Sequence, residues 1–346
     1  MHMADALLSP TIGGIMLTVT AATTLYSARK VQSQMDNKKI PLMGVLGAFV
    51  FAAQMINFAI PGTGSSGHLG GGLLLAILLG PHAAFLTLSS VLTIQALFFA
   101  DGGLLALGCN IFNLGFVPCF IAYPFIYKTI TGTDLTPKKL FTGSILAAAI
   151  GLQLGSLAVV LQTFLSGIIS LPFTSFLIVM QPIHLAIGLV EGIATAGVVS
   201  FIWKARPEIL ARAMNEQPFG YLPVRNIIIG MLSATVVIGG FFSWYASEHP
   251  DGLEWSIEKV TGNSEIVSPS EGVHDKLARI QQKTSYLPDY AFKDNEEEIQ
   301  NNQDTLGNYT GTTLSGLVGG LLVLACSVLI GLVLKKRRQP VCYRQN

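Results

Sequence analysis

The chain opens Met1-His2, and this dipeptide can grip a metal ion three times. An α-amine and the His2 amide nitrogen close a five-membered chelate ring. The same amide and the His2 Nδ1 close a six-membered one. A backbone amide yields its proton only to a metal that strongly favours square-planar nitrogen, which means Ni(II) or Cu(II). A residue as large as His in second place blocks removal of the initiator Met, so the amine is expected to be that of Met1. Three nitrogens leave one corner of the square open. The loop Pro61-Gly-Thr-Gly-Ser-Ser-Gly-His68 offers an imidazole for it, and its glycines let backbone come close. Asn57 and Ser66, with Gln54, are candidates to support the site as hydrogen-bonding neighbours. The plainer alternative is a Met-His start that arose by chance.

The same loop carries two weaker patterns. Gly62-x-x-x-x-Gly67 is spaced like a phosphate loop, but His68 stands where Lys is required and no strand is expected before it. Ser65 or Ser66 with His68 offers the alternative of an intramembrane hydrolase, although no orienting carboxylate is apparent. Asp101-Gly-Gly is most simply a tight turn. His184 and Glu191, seven residues apart on one helix face, are expected to pair with neighbouring helices and fix packing, although a carboxylate inside an apolar run also invites a functional reading. His82 is read as an interface residue. Four Cys without framework spacing argue against disulfides and a zinc site.

These residues need positioning, and composition says by what. Of 346 residues, 51% are hydrophobic and 12% charged, half the charge of an ordinary soluble domain. That leaves too little polar surface to coat a water-soluble particle, and a net charge of +1 gives no reason to invoke nucleic acid. The expected fold is an all-α polytopic membrane protein. About 20 mainly apolar residues cross a bilayer, and the runs 7–27, 41–60, 83–100, 104–127, 140–168, 175–203, 227–245 and 314–334 qualify. A shorter run, 69–79, reaches only part way.

The basic residues orient the chain. Sixteen of the 21 Lys and Arg fall in the loops near 29–39, 128–139 and 204–225 and in the tail after 334. All sixteen face the cytoplasm if 69–79 counts as a crossing. Nine spans are therefore expected in the plasma (inner) membrane, with the N-terminus outside, the C-terminus inside, and the 61–68 loop on the same face as His2. Residues 1–215 form one seven-span module. Residues 216–346 form a second, with two spans around an extracytoplasmic insert (246–313), where 13 of the 20 acidic residues gather between Glu248 and Asp304. Within it, 271–282 suggests a short helix and 294–304 a solvated stretch.

The stretches Met1-His2-Met3-Ala4-Asp5-Ala6-Leu7, Gly62-Thr-Gly-Ser-Ser-Gly-His68-Leu-Gly-Gly, Gln95-Ala-Leu through Asn110, and His184-Leu-Ala-Ile-Gly-Leu-Val-Glu191-Gly resemble the NikM/CbiM substrate-specificity subunits of nickel and cobalt energy-coupling-factor transporters. Pro250-Asp-Gly-Leu-Glu254 resembles the PDGLE domain of the accessory subunit NikN, often fused to NikM. The resemblance spans the whole first module and implies a transport subunit rather than an enzyme. It also implies a nickel site of the Met1 amine, the His2 amide and imidazole, and the His68 imidazole, with cobalt the alternative ion. A transmembrane coupling subunit and a separate ATPase subunit are the partners it implies.

Overall fold

The structure is a computed structural model that describes residues 2–132, 134–263, 266, 272–292 and 305–336. Ser9 and Pro10 start the first long helix, α1 (Pro10–Gln34): the Ser9 hydroxyl accepts the Ile12 N–H at 3.3 Å, and Pro sits where no N–H is needed. The next helix, α2 (Lys39–Gln54), stops short of the expected residue 60. The chain instead enters a hairpin, β1 (Phe58–Ile60) and β2 (Ser65–Gly67), with Phe58 opposite Gly67 and Ile60 opposite Ser65. A strand therefore does precede the 61–68 loop, contrary to expectation. The chain returns as a second strand rather than running from the loop straight into a helix, which is the arrangement a phosphate loop requires.

Past His68 the backbone stays extended to Gly71 and then forms α3 (Gly72–Leu79), which is buried throughout. Eight residues of helix cover about 12 Å, less than half a bilayer core. Gly80, just beyond it, lies against the Ala213 carbonyl and the Glu216 side chain, at the opposite end of the molecule from the hairpin. The run 69–79 thus passes from one end to the other, half as extended chain and half as helix. Non-helical backbone at that depth is tolerated only where protein satisfies it. Glu191, about halfway along α8 (Phe173–Ala205), does so: its two carboxylate oxygens accept the N–H groups of Gly70 (2.9 Å) and Gly71 (3.0 Å). The Gln54 side-chain amide donates to the Gly70 carbonyl at 2.9 Å. Gly71 itself sits at φ +74°, and a Cβ there would run into Val50.

From Gly80 the chain turns back as α4 (Pro81–Phe98). A continuous rod follows, built from α5 (Leu107–Ile111), a wider π-helical stretch (Phe112–Tyr127) and α6 (Lys128–Thr131). Pro118 and Pro124 lie inside the wide stretch, where each removes a backbone donor from the ordinary helical ladder. Then come α7 (Pro137–Ser166) and α8, joined into a tight pair because Gly188 and Gly192 let the α8 backbone ride directly on Ala149 and Ile145. A short helix, α9 (Pro207–Met214), closes the first module.

The second module is not a separate body. Its helices α10 (Arg225–Gly240) and α13 (Thr305–Lys336) pack on each other and on α2. Between them lie α11 (Gly252–Thr261), α12 (Val273–Thr284), where 271–282 was expected to be helical, and a short turn Pro288–Tyr290. The stretch 294–304 lies outside the described residues. Among the described residues, six helices are long and apolar enough to cross a membrane, while α2 and α10 are apolar but 16 residues each.

Removing the Glu191 carboxylate should be felt at once. Glu191→Ala leaves two buried N–H groups unpaired, at about 1–3 kcal/mol each. The detergent-solubilised protein should melt several degrees lower, whereas Glu191→Gln, which keeps one acceptor, should lose roughly half as much. An unchanged melting temperature for Glu191→Ala would mean that the Gly70–Gly71 backbone is held by something else.

Candidate metal site

The first residues are threaded into the protein. Asn110 on α5 clasps Met3 by its backbone: the Met3 N–H donates to Asn110 Oδ1 at 2.8 Å, and the Asn110 amide donates to the Met3 carbonyl at 3.2 Å. The Gly103 N–H donates to the same carbonyl at 2.9 Å. Asp5 accepts the Ala106 N–H at 3.0 Å, and Gly103 packs so closely on Asp5 that a side chain there would overlap it. Met3, Leu7 and Leu8 are all buried. These bonds fix residues 2–8 against the 101–110 segment and so decide where His2 points.

His2 lies with its imidazole stacked on that of His68, ring centroids 4.9 Å apart and planes 4° from parallel. Its Nδ1 lies 2.9 Å from Asp101 Oδ1, and its Nε2 is buried without a partner. The His68 Nδ1 donates to the Leu69 carbonyl at 3.1 Å, which fixes Nε2 as the nitrogen carrying the lone pair. Burial pushes the His68 imidazole down to about 3, helped by positive charge nearby and opposed by Asp251 and Asp101. It is therefore neutral at physiological pH. Burial alone would raise the Asp101 carboxyl. The charge and hydrogen bond of His2, then the Tyr290 hydroxyl, outweigh it and hold Asp101 well below the usual carboxylate range.

The second module closes over this face. Each residue of Pro250–Glu254 has a task. The Pro250 carbonyl accepts the Ser66 N–H at 2.8 Å, and Asp251 caps α11 in a reciprocal box with Glu254. Gly252 leaves room for His184 and Ile187 of α8, and Leu253 is buried. The Trp255 indole donates to the Thr63 carbonyl at 3.0 Å. Farther along, His274 donates to the Leu8 carbonyl at 2.9 Å and Gln281 to those of Ala96 and Gly102. The Tyr290 hydroxyl donates to Asp101 Oδ2 at 2.5 Å. Gln95 joins Tyr290 (3.2 Å) to Gln54 (3.0 Å) and so to Gly70. One chain of polar groups thus links the insert through Asp101 to the His2 imidazole and through Gln95 and Gln54 to the Gly70 carbonyl just past His68.

Of the residues singled out by sequence, His2 and His68 come together, while Met1 lies outside the described residues. Ser66 is buried, but its hydroxyl donates to the His249 carbonyl at 2.7 Å, and the Ser65 hydroxyl donates to the Ser66 carbonyl. Both serve backbone rather than His68, which removes the basis for a serine nucleophile. Asn57 faces the second module, its carbonyl accepting the Ser247 N–H at 2.7 Å. Asp101, expected in a tight turn that could lie close to the site, does lie beside His2, with Ala100 before it in the left-handed region at φ +54°. Tyr290 was not singled out at all, since a single Tyr in a polar insert carries no pattern. Among the described residues, no three His, Cys, Asp or Glu side chains gather as a ligand set.

The match to known proteins agrees with this layout. Residues 2–209 fit the family described as the cobalt uptake substrate-specific transmembrane region, and residues 225–336 fit the PDGLE domain. A protein of Archaeoglobus fulgidus named as a fused nickel transport protein, NikMN, is 32% identical over 94% of this chain and 96% of its own. The fused nickel transport protein NikMN of Rhodobacter capsulatus is 29% identical over 94% of this chain and 95% of its own. The crystal structure of a transition metal transporter superposes with a TM-score of 0.53 at 32% identity, over 59% of this chain and 93% of that one.

The Asn110 clasp is open to direct measurement. Asn110→Ala removes the acceptor for the Met3 N–H and one donor to its carbonyl, a loss of about 1–3 kcal/mol. Hydrogen exchange at Met3 and Gly103 should speed up by roughly tenfold to a hundredfold, with the α7–α8 pair unaffected. Equal protection in the variant would show that Gly103 and Asp5 hold the segment alone.

Proposed function

Because this chain belongs to the cobalt uptake substrate-specific transmembrane family and carries a PDGLE domain, we propose that it is the metal-capturing subunit of an ATP-driven nickel importer of the energy-coupling-factor type. The observation that carries this reading is the His2 ring lying on His68 at 4.9 Å, at the end of a segment that the protein goes to some length to bury. In this reading the ion is cargo. Four nitrogens hold it in a plane: the Met1 amine, the His2 amide, the His2 imidazole and the His68 imidazole. The amide is the discriminating donor, because its proton leaves only for a metal with a strong square-planar preference. That favours nickel over cobalt, the alternative ion.

Capture needs one rearrangement. A metal bonds in the plane of an imidazole, and two parallel stacked rings do not share a plane, so one ring must turn as the ion arrives. His2 is the ring to move. Its Nδ1 is the atom that closes the chelate and is held by Asp101, so a turn about the Cβ–Cγ bond, with the ring proton moving from Nδ1 to Nε2, exchanges the carboxylate for the metal. Asp101 then carries a negative charge freed beside a divalent cation, held in place by the Tyr290 hydroxyl. The insert thereby senses whether His2 is on Asp101 or on the metal.

The orientation follows the charges. The imidazoles, Asp101 and the insert lie at one end of the helices, and the Lys- and Arg-rich loops lie at the other, which by the positive-inside rule is cytoplasmic. Nine crossings, counting the short 69–79 passage, put the N-terminus outside and the C-terminus inside. The chain has no Walker A motif, so the ATPase and the subunit that couples it to this one are partner proteins.

Three outcomes test the site. Adding one or two residues before Met1 should abolish tight nickel binding, seen as loss of co-purifying nickel by elemental analysis; retained nickel would refute the chelate. His68→Ala should lose at least about 3 kcal/mol of binding, more than a hundredfold, while melting as the parent does. The pH slope reports the amide. Below the amine pKa of about 8 two protons leave per ion bound, so affinity should rise about a hundredfold per pH unit, and above it about tenfold. A site without the amide would be flat above pH 8.

A further inference from the structure

His184 sits on α8 where the first module meets the PDGLE turn, and it is fully buried. Its Nδ1 donates to the Met180 carbonyl at 2.8 Å, as an N–H, which leaves the lone pair on Nε2. That nitrogen is buried and has no hydrogen-bond partner. Packing explains the ring, which fills the space beside Gly252, but a phenyl ring would fill it equally well without an unpaired nitrogen. The nitrogen needs a separate explanation.

The cavities supply one. His184 lines a small cavity together with His68, Gly70, Leu114, Leu152 and Asp251, with room for little more than one water-sized particle. A second small cavity shares Gly70, Leu114 and Leu152 with the first and reaches Asn113, Pro118 and Glu191. The two lie in series along the wall formed by the π-helical stretch. They lead from His68 past His184 to the carboxylate halfway along α8. A divalent ion leaving water must find donors at every halt, since an unpaired charge in an apolar interior is prohibitive. A neutral imidazole lone pair suits nickel and cobalt alike.

We propose that His184 Nε2 is a second metal ligand, to which the ion passes from His2 and His68 on its way inward. This rests on the metal-capture reading above and adds to it the first step of the route. Below His184 the next donor is Glu191, both of whose oxygens hold the Gly70 and Gly71 N–H groups. An ion reaching that carboxylate competes for the atoms that pin the backbone under His68. Movement of the cargo and release of the outer hairpin are then coupled through one side chain.

The test titrates the full chain in detergent with Ni²⁺ alone. The parent should take up one tight ion and then a second at least about tenfold more weakly. His184→Gln, which can still donate to the Met180 carbonyl, should keep the tight ion within about twofold and weaken the second by about tenfold or more. A parent that saturates with one ion, or a variant that keeps both, overturns the proposal. If the variant does not fold, nickel-edge anomalous scattering from the parent grown in excess nickel decides: a second peak beside His184 supports the assignment, and a single peak at His2 and His68 overturns it. Failure of the outer site is read separately, as a tight ion that survives His68→Ala, and leaves the scoring of the second ion on His184 intact.

Discussion

The clasp between Asn110 and the Met3 backbone is the contact on which the site depends. An amide side chain that both donates to and accepts from one peptide unit fixes the direction as well as the position of a strand. Ordering each residue of this segment costs about 1–2 kcal/mol. Here that cost is offset by burying Met3, Leu7 and Leu8, by three bonds to the Met3 backbone and by the bond from Ala106 to Asp5. The result is that His2 meets the Asp101 carboxylate and the His68 imidazole.

The second constraint runs through Glu191. A crossing that is half extended exposes peptide groups at a depth where no water can satisfy them. Glu191 and Gln54 supply the missing partners from two different helices. The extended stretch is what brings His68 below the rim, where burial keeps its imidazole neutral. A full helix over 69–79 would carry the ring away from His2. The short apolar run in the sequence is thus the mark of an interrupted helix, and the interruption creates the site.

The PDGLE motif reads differently once its contacts are known. Its five residues form a cap and a turn whose carbonyl, glycine and leucine each meet the first module. With Trp255, His274, Gln281 and Tyr290 they reach across every loop that carries a candidate ligand. The PDGLE module therefore forms one wall around the paired imidazoles. Non-glycine residues in the left-handed region, Asp289 and Tyr290, stand where that wall touches Asp101. Strain of this kind persists only when surrounding contacts enforce it.

How much was legible in the sequence follows from the range of the interactions involved. Apolar runs report helices because their burial is local and periodic, and among the described residues six helices long and apolar enough to cross a membrane fall on expected runs. The chelating potential of Met1-His2 is likewise local chemistry, as is the lone imidazole after a glycine-rich loop. The roles of Asp101, Gln95 and Tyr290 were not legible, since each is an ordinary residue whose partner lies about 40 to 190 positions away. His184 was expected to be a packing residue, and its ring does pack. Only the tertiary structure shows that one of its nitrogens is spent and the other is not. Sequence determined which segments leave water and which atoms can bind metal, because both depend on covalent structure alone. The tertiary structure decided which of those atoms share a cavity, because that depends on helices crossing at positions far apart along the chain.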